Sequence, residues 1–326
     1  MWTFVTTYIN IQSSYERNGV NEYNNDSFYI EKFKYLLELD INLIIFIDEV
    51  SKTKIEKYVN NKKIKFIVIK FDELYLSKYV PQIYKNREGS IIYKNSRNIP
   101  EWAVITLSKS EILIKAIEIN PFDTEIYCWI DFGIYRPAHP YVNYSIEELK
   151  KQIENLQNSN IYINNTIHMG LINWVNKDDY KNCIEFYKSG GRCTLSSQFF
   201  FGNIHSLKYF NRECVSIIED HINNKVLHAD EQICFYVLLK NPELFSLFPT
   251  DYFYAPFDVI YPHKRTWTTT ELLIPNLLRD NQYKICKKII FKLLCSHIVK
   301  KINLPDKLLN EYIEFINSYN CMKHLK

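Results

Sequence analysis

A chain of 326 residues is long enough for one large domain or two modest ones, and 47% hydrophobic with 24% charged residues is ordinary for a globular protein. A net charge of +3 is too small for a nucleic-acid-binding face, and seven glycines leave little room for a glycine-rich phosphate loop. No apolar run approaches the ~20 residues that a bilayer requires, and eight cysteines without a C-x-x-C pair exclude a zinc ribbon or thioredoxin-like motif.

With no basic segment leading into an apolar one at the start, a reducing cytoplasmic setting is expected. Residues 2–9, WTFVTTYI, are β-branched and aromatic and predict a strand. Tyr29, Phe33, Leu36 and Leu37 then recur at helical spacing, predicting a helix over 27–39 capped by Asp26 or Ser27. The apolar run INLIIFI, 41–47, reads as a strand buried on both faces and closes in Asp48. A short helix over 52–60 and a strand over 64–71 follow. The stretch 72–104 is expected to be irregular, with turns near Pro81, Gly89 and Pro100. Ser108-Lys-Ser-Glu111 has capping-box spacing and opens a helix to Asn120, with Ile112, Ala116 and Ile119 on one face. A strand over 125–130 then runs into Asp131. This β-α-β-α-β-(insert)-α-β order predicts a parallel, helix-covered sheet whose ligands bind beyond the carboxyl ends of its strands. Asp48, Asp131 and the loop after Ile9 all occupy such ends.

In the second half, Ser145-Ile-Glu-Glu148 is another capping box, opening a helix to Leu156. Residues 160–176 read as strand and loop, and 190–204, GGRCTLSSQFFFGNI, as a turn, a strand and a tight glycine. Helices are expected over 205–222, from His228-Ala-Asp-Glu-Gln232 to Leu239, over 271–300 and over 305–319.

Asp131 is open to two readings. It is a turn or helix-cap aspartate, or it meets a hard divalent cation, Mn²⁺ or Mg²⁺, that bridges a carboxylate to substrate phosphates. The kinase reading of Asp131-Phe132-Gly133 fails for want of a glycine-rich loop, a strand lysine and an H-R-D element. Asp230 and Glu231 open a helix, where acids complement the macrodipole, but SSQFFFGN upstream and the Asp131 crevice favour a catalytic role. His263, in IYPHKRTW, is a structural histidine or a metal ligand. Its neighbours Lys264 and Arg265 are a solvated basic loop or a diphosphate contact. Lys109, at a helix start, is a surface lysine or one in reach of Asp131 or a phosphate. Residues 284–301 hold six lysines and no acid among apolar residues. Such a helix packs on the protein with a solvated lysine edge, or makes a peripheral contact with an anionic membrane face.

The order of elements resembles a GT-A glycosyltransferase and, more narrowly, the HtrL/YibB family. The residues that carry the resemblance are FVTTYINI, YIEKFKYLLELDINLIIFID, INPFDTEIYCWIDFGIYR, and SSQFFFGNIHSLKYF with HADEQ, and it spans residues 2 to 265. It implies an α/β fold with a GT-A (Rossmann-like), mostly parallel sheet flanked by helices. Residues 1–270 would form the catalytic domain, with 1–135 its nucleotide-binding half and 136–270 its acceptor-side half, and 271–326 a helical C-terminal extension. The implied donor is a nucleotide-diphosphate sugar, UDP-linked, and the implied acceptor a hydroxyl on a glycan, a lipid-linked sugar or a protein, in a crevice near Trp174 and residues 190–203. Asp131 would hold the metal with His263. Thr6, Thr7, Tyr8 and Asp48 would frame the nucleoside, Tyr8 stacking on uracil. Lys109, Lys264 and Arg265 would meet the diphosphate. Gly133 stands where the family's D-x-D has its second carboxylate. SSQFFFGN and DEQ are also similar to the F-G-G and D-E-S elements of blood-group-type retaining transferases. That likeness implies that Asp230 holds donor sugar hydroxyls and that Glu231 stabilises or attacks the anomeric carbon. Phe201 replaces the usual glycine and Gln232 the usual serine. The rival readings are a non-catalytic sugar-nucleotide-binding module, and a nucleotidyltransferase or hydrolase on a similar sheet.

Overall fold

The structure, a computed structural model, describes residues 1–17, 26–59, 62–86, 99–135, 144–159, 161, 163–175, 194–226, 229–251, 254–260, 266–298, 304 and 306–323. Among these the strands form one seven-stranded sheet in the order β3-β2-β1-β4-β6-β5-β7. Strands β1 (Trp2–Tyr8), β2 (Asn42–Ile47), β3 (Ile64–Val68) and β4 (Ile126–Ile130) pair in parallel. Strand β6 (Leu195–Asn203) runs antiparallel to β4 and to β5 (Ile167–Leu171), and β7 (Phe245–Pro249) returns parallel to β5. One edge therefore collects the carboxyl ends of every strand but β6, which contributes its amino end.

The alternation of strand side chains divides the core between two faces. Val5, Ile44, Trp129 and Phe200 pack on one face, against helices α6 (Lys109–Ile119), α8 (Ile204–Asn223) and α9 (Asp230–Lys240). Phe4, Ile45, Cys128 and Phe199 pack on the other, against α2 (Asp26–Leu37) and α7 (Ile146–Gln157). Each fully buried large apolar side chain contributes about 1.5–3 kcal/mol, so helices on both faces, rather than strand pairing alone, hold the sheet. Gly202 is the tight glycine of the SSQFFFGN run: a Cβ there would stand 2.6 Å from the Ser206 hydroxyl and 3.0 Å from Ile167 Cδ1.

Capping chemistry sets several boundaries. Asp48 accepts from Ser51 N at 2.9 Å, which starts α3 (Glu49–Ile55) three residues before the expected 52. The Ser145–Glu148 box forms with both reciprocal bonds, at 2.7 and 3.1 Å. The Ser108–Glu111 box does not form. Ser108 has ψ 5°, its side chain makes no cap bond, and the Glu111 carboxylate accepts from Tyr75 N instead, at 3.1 Å. Ile119, expected on the buried face of α6, is exposed. The stretch expected to be irregular holds α4 (Val80–Asn86) and α5 (Pro100–Leu107). Pro81 and Pro100 fall in first turns, where a missing N–H costs no helix bond, so they start helices rather than break them. Between β3 and β4 lie α4, α5 and α6, all on the way to the strand that leads into Asp131.

The helical C-terminal region, expected from 271, begins with α11 (Thr266–Arg279), after the short α10 (Ala255–Asp258) and α1 (Gln12–Arg17) near the start of the chain. Helices α12 (Tyr283–Ile298) and α13 (Asp306–Lys323) follow. Leu277, Cys286, Ile289 and Leu293 join the same core as Met169 and Leu247 of the sheet. The apolar side of α12, read from sequence as a candidate membrane face, is therefore buried against β7. Lys292 turns inward, donating to Val259 O at 2.8 Å. Phe291 and Ile298 remain exposed, and residues 299–303 lie outside the described residues. Among the described residues no helix is long and apolar enough to cross a membrane.

Candidate active site

Asp131 is the first residue past β4, and its backbone remains in register with β6: Asp131 N donates to Gln198 O at 2.9 Å. The side chain points to the Trp129 face. Oδ1 accepts from Trp129 Nε1 at 2.6 Å and lies 3.0 Å from Lys109 Nζ. Oδ2 has no partner among the described residues. The carboxylate at the mouth of this buried strand thus has one anchored oxygen and one open one.

Lys109 is the hub. It starts α6, and its ammonium reaches Asp131 Oδ1 at 3.0 Å, Asp230 Oδ2 at 2.7 Å, Ser197 O at 3.1 Å and Ser197 Oγ at 3.3 Å. The Ser197 hydroxyl in turn donates to Asp230 Oδ2 at 2.7 Å. Ser197 is available because β6 bulges here. Met169 of β5 pairs with Phe200 but Gly170 pairs with Ser196, so residues 197–199 have no counterpart on β5. Bulges of this kind re-aim side chains beside functional sites. An ammonium has three N–H bonds, and those of Lys109 are already occupied by protein acceptors. Of the two partners expected for Lys109, Asp131 is the one it meets here, and the ammonium ties β4, β6 and the start of α9 together.

The carboxylates differ sharply in their electrostatics. Burial opposes the Lys109 charge, but Asp131 and Asp230 outweigh it and hold its pKa above the ordinary lysine value. Burial likewise opposes the ionisation of Asp230, but Lys109 and the Ser197 hydrogen bond hold its pKa below the ordinary aspartate value. Glu231, the next residue, keeps some surface open to solvent but has protein on most sides. That burial, then the adjacent Asp230 charge, push its pKa up to about 8. Two neighbouring acids therefore hold different protonation states at neutral pH, a separation that marks acid–base sites.

The residues expected to frame a nucleoside lie at the ends of β1 and β2. Asp48 accepts from two backbone amides, Ser51 N at 2.9 Å and Asn10 N at 2.8 Å, so it clamps the loop after β1 to the end of β2. Thr7 Oγ1 donates to Phe46 O at 3.0 Å. Thr6 Oγ1 is buried without a partner among the described residues. Tyr8 stacks on Phe132 at 4.7 Å, and Phe132 stacks on Phe33 at 4.4 Å, so one face of Tyr8 is already covered. Trp174, expected near the acceptor crevice, is buried and donates to Asp280 Oδ2 at 2.9 Å, so it fixes the C-terminal helices instead of lining a crevice. His263, Lys264, Arg265 and His228 lie outside the described residues. Sequence reasoning missed Trp129 and Ser197. Trp129 could have been found from its i,i+2 spacing to Asp131 on one strand face, whereas nothing in the sequence signals the bulge at Ser197.

Among the described residues no group of three or more His, Cys, Asp or Glu is arranged to hold a metal. The open oxygen of Asp131 is a single donor. Magnesium-type sites often take one or two carboxylates and complete their shell with water and substrate phosphates, and Asp131 fits the protein's share of such a site.

Solved structures resembling the chain include the apo form of mouse xyloside xylosyltransferase 1, at 13% identity and a TM-score of 0.41, covering 77% of this chain and 87% of that one. No curated protein sequence matches. Residues 2–260 match the family described as "Bacterial protein of unknown function (HtrL_YibB)", a span that takes in the sheet, Lys109, Asp131 and the Asp230–Glu231 pair, and the chain belongs to that family.

Proposed function

We propose that the protein is a GT-A-type glycosyltransferase that moves a sugar from a nucleotide-diphosphate donor, UDP-linked, to an acceptor hydroxyl. The observation that carries this reading is the convergence of Asp131 and Asp230 on one buried ammonium at the carboxyl edge of the sheet, with Glu231 next to Asp230 in the chain. Asp131 has an oxygen to spare, Asp230 is held ionised, and Glu231 is poised near neutrality.

In this reading Asp131 faces the donor's diphosphate, and Mn²⁺ or Mg²⁺, when bound there, supplies charge neutralisation for the departing group. Lys109 holds Asp131 and Asp230 at fixed separation. Asp230, fixed by Lys109 and Ser197, accepts from donor sugar hydroxyls. Glu231 faces the positive charge that develops at the anomeric carbon, which favours a retaining outcome. Lys264 and Arg265 are further candidates for the diphosphate, and His263 for the metal.

Glu231 must be ionised for this role. Burial and Asp230 keep its proton on up to about 8, so turnover should rise as pH climbs through about 8 and flatten beyond it. Glu231→Gln should remove that rise and lower kcat on the order of 10³-fold, with donor affinity changed only a few-fold, the pattern of a group that acts in the transition state. A large loss of donor affinity at unchanged kcat would contradict the assignment.

The direct test is to incubate the protein with UDP-sugars and Mn²⁺ and identify the nucleotide product. UDP release that EDTA abolishes is the expected result. Pyrophosphate release would point to a nucleotidyltransferase. Gly133, in place of a second carboxylate, favours the non-catalytic module as the second reading, which predicts donor binding without product.

A further inference from the structure

Helix α12 has two sides of different chemistry. Cys286, Ile289, Ile290 and Leu293 are buried in the core it shares with the sheet. At 3.6 residues per turn, Lys284, Lys288, Phe291 and Ile298 fall on the opposite side, within an arc of about 80°. All four are exposed, Phe291 by 58% and Ile298 by 75%. Phe291 is the only exposed phenylalanine among the described residues. The sheet occupies the apolar side, so the helix meets its surroundings with lysines and two large apolar groups on one face.

The charges on that face are uncompensated. Residues 283–298 hold four lysines and no acid. Lys284 and Lys288 stand one turn apart and make no ion pair among the described residues. Like charges at this spacing repel. Partial burial, and then the Lys284 charge, lower the pKa of Lys288. Lys292, a turn further on, lies 5.3 Å from the centre of the Phe248 ring. The acids of the neighbouring elements do not relieve this repulsion. Asp258 is fully buried and accepts from Thr250 at 2.8 Å, and its charge acts on Lys292. Asp280 is buried and accepts from Trp174. Asp306, Glu311 and Glu314 of α13 are exposed but pair with neither Lys284 nor Lys288. A small anion would satisfy the lysines and leave the apolar groups in water. A neutral bilayer would do the reverse. At an anionic bilayer surface, lipid phosphates accept from lysines while large apolar side chains enter the acyl boundary. We propose that the outward face of α12 docks the protein on an anionic lipid bilayer through Lys284, Lys288, Phe291 and Ile298. A single weak anchor binds a membrane only marginally, and here a basic patch and an apolar pair act together. The inference does not depend on the transfer reading above.

Sedimentation of the full chain with vesicles of phosphatidylcholine alone, or mixed with phosphatidylglycerol, supplies the test. The protein should sediment with the mixed vesicles and not with the neutral ones, and added salt should weaken the binding. Lys284→Gln combined with Lys288→Gln should weaken it about 25-fold, from roughly fivefold for each lysine near an anionic surface. Phe291→Ser combined with Ile298→Ser should weaken it about tenfold and leave the salt dependence intact. The four side chains are exposed, so melting temperatures should stay near wild type. The single variants Lys284→Gln and Phe291→Ser serve if a double variant melts early. The proposal is overturned if the protein ignores the mixed vesicles, or binds neutral ones equally well. It is also overturned if the lysine variants bind as wild type does. Wild-type binding by the serine variants would mean a site for soluble polyanions, which overturns the bilayer as the partner. UDP release has no part in this readout, so failure of docking leaves the transfer reading untouched, and the reverse holds too.

Discussion

Asp131→Ala is expected to lower UDP release from donor by about 10²–10³-fold or more, the loss typical of removing one group that stabilises developing charge. The variant should remain folded, because the Asp131 side chain is 22% exposed and only one of its oxygens is engaged among the described residues. Asp131→Asn makes the sharper comparison. Its amide oxygen can still accept from Trp129 Nε1 and Lys109, so the anchored geometry survives while the charge is lost. If the open oxygen matters as a charge, the asparagine variant should be nearly as inactive as the alanine one, with a melting temperature within a few degrees of wild type. Wild-type-like release by either variant, read by product chromatography beside circular dichroism melts, would remove Asp131 from the chemistry.

Lys109→Met should be the most damaging single change. It leaves Asp131 and Asp230 facing each other without their cation and strips Ser197 of its donor. Breaking a buried ion pair from one side costs about 3–5 kcal/mol. The pH dependence gives the check a sign. In wild type Asp230 titrates below its ordinary value, so its contribution to stability is full above the unfolded pKa and is lost as pH falls. Without Lys109, burial raises the Asp230 pKa instead, and the variant loses stability as pH rises through that raised value. The gap in melting temperature between wild type and Lys109→Met should therefore narrow from pH 8 to pH 5. A gap independent of pH would mean that Lys109 acts by packing alone. Lys109→Arg keeps the charge and should recover most of the stability. Its longer, planar head displaces the carboxylates, so turnover should still fall on the order of 10²-fold.

The parts of the fold that local pattern determines were legible in the sequence. The unbroken run at 41–47 could only be a strand covered on both faces, and helices do flank it. The Ser145–Glu148 box formed, with both side chains bonded within it. The Ser108–Glu111 box had the same spacing and failed because Glu111 is drawn to an amide of Tyr75, 36 residues earlier in the chain. Strand β7 went unread: FSLFP is five residues ending in proline, and it is a strand only because β5 lies alongside. At the site, Asp131, Asp230 and Glu231 were readable as acids at element ends. What assembles them was not. Lys109 meets partners 22 and 121 residues away in the chain, and the bulge that presents Ser197 depends on register between two strands rather than on any residue type. Long-range pairing of charges leaves no local periodicity to find.

The seam between the sheet and the last helices bears on how the chain could be cut. The family match stops at 260, and a truncation there would look natural on paper. It would bare the outer rim of β7 and the apolar surface that Ile289, Ile290 and Leu293 now cover. An uncovered strand rim of that kind invites edge-to-edge stacking between copies. The shortened protein should precipitate or associate rather than behave as a minimal enzyme, and soluble expression is best sought with the closing helices retained.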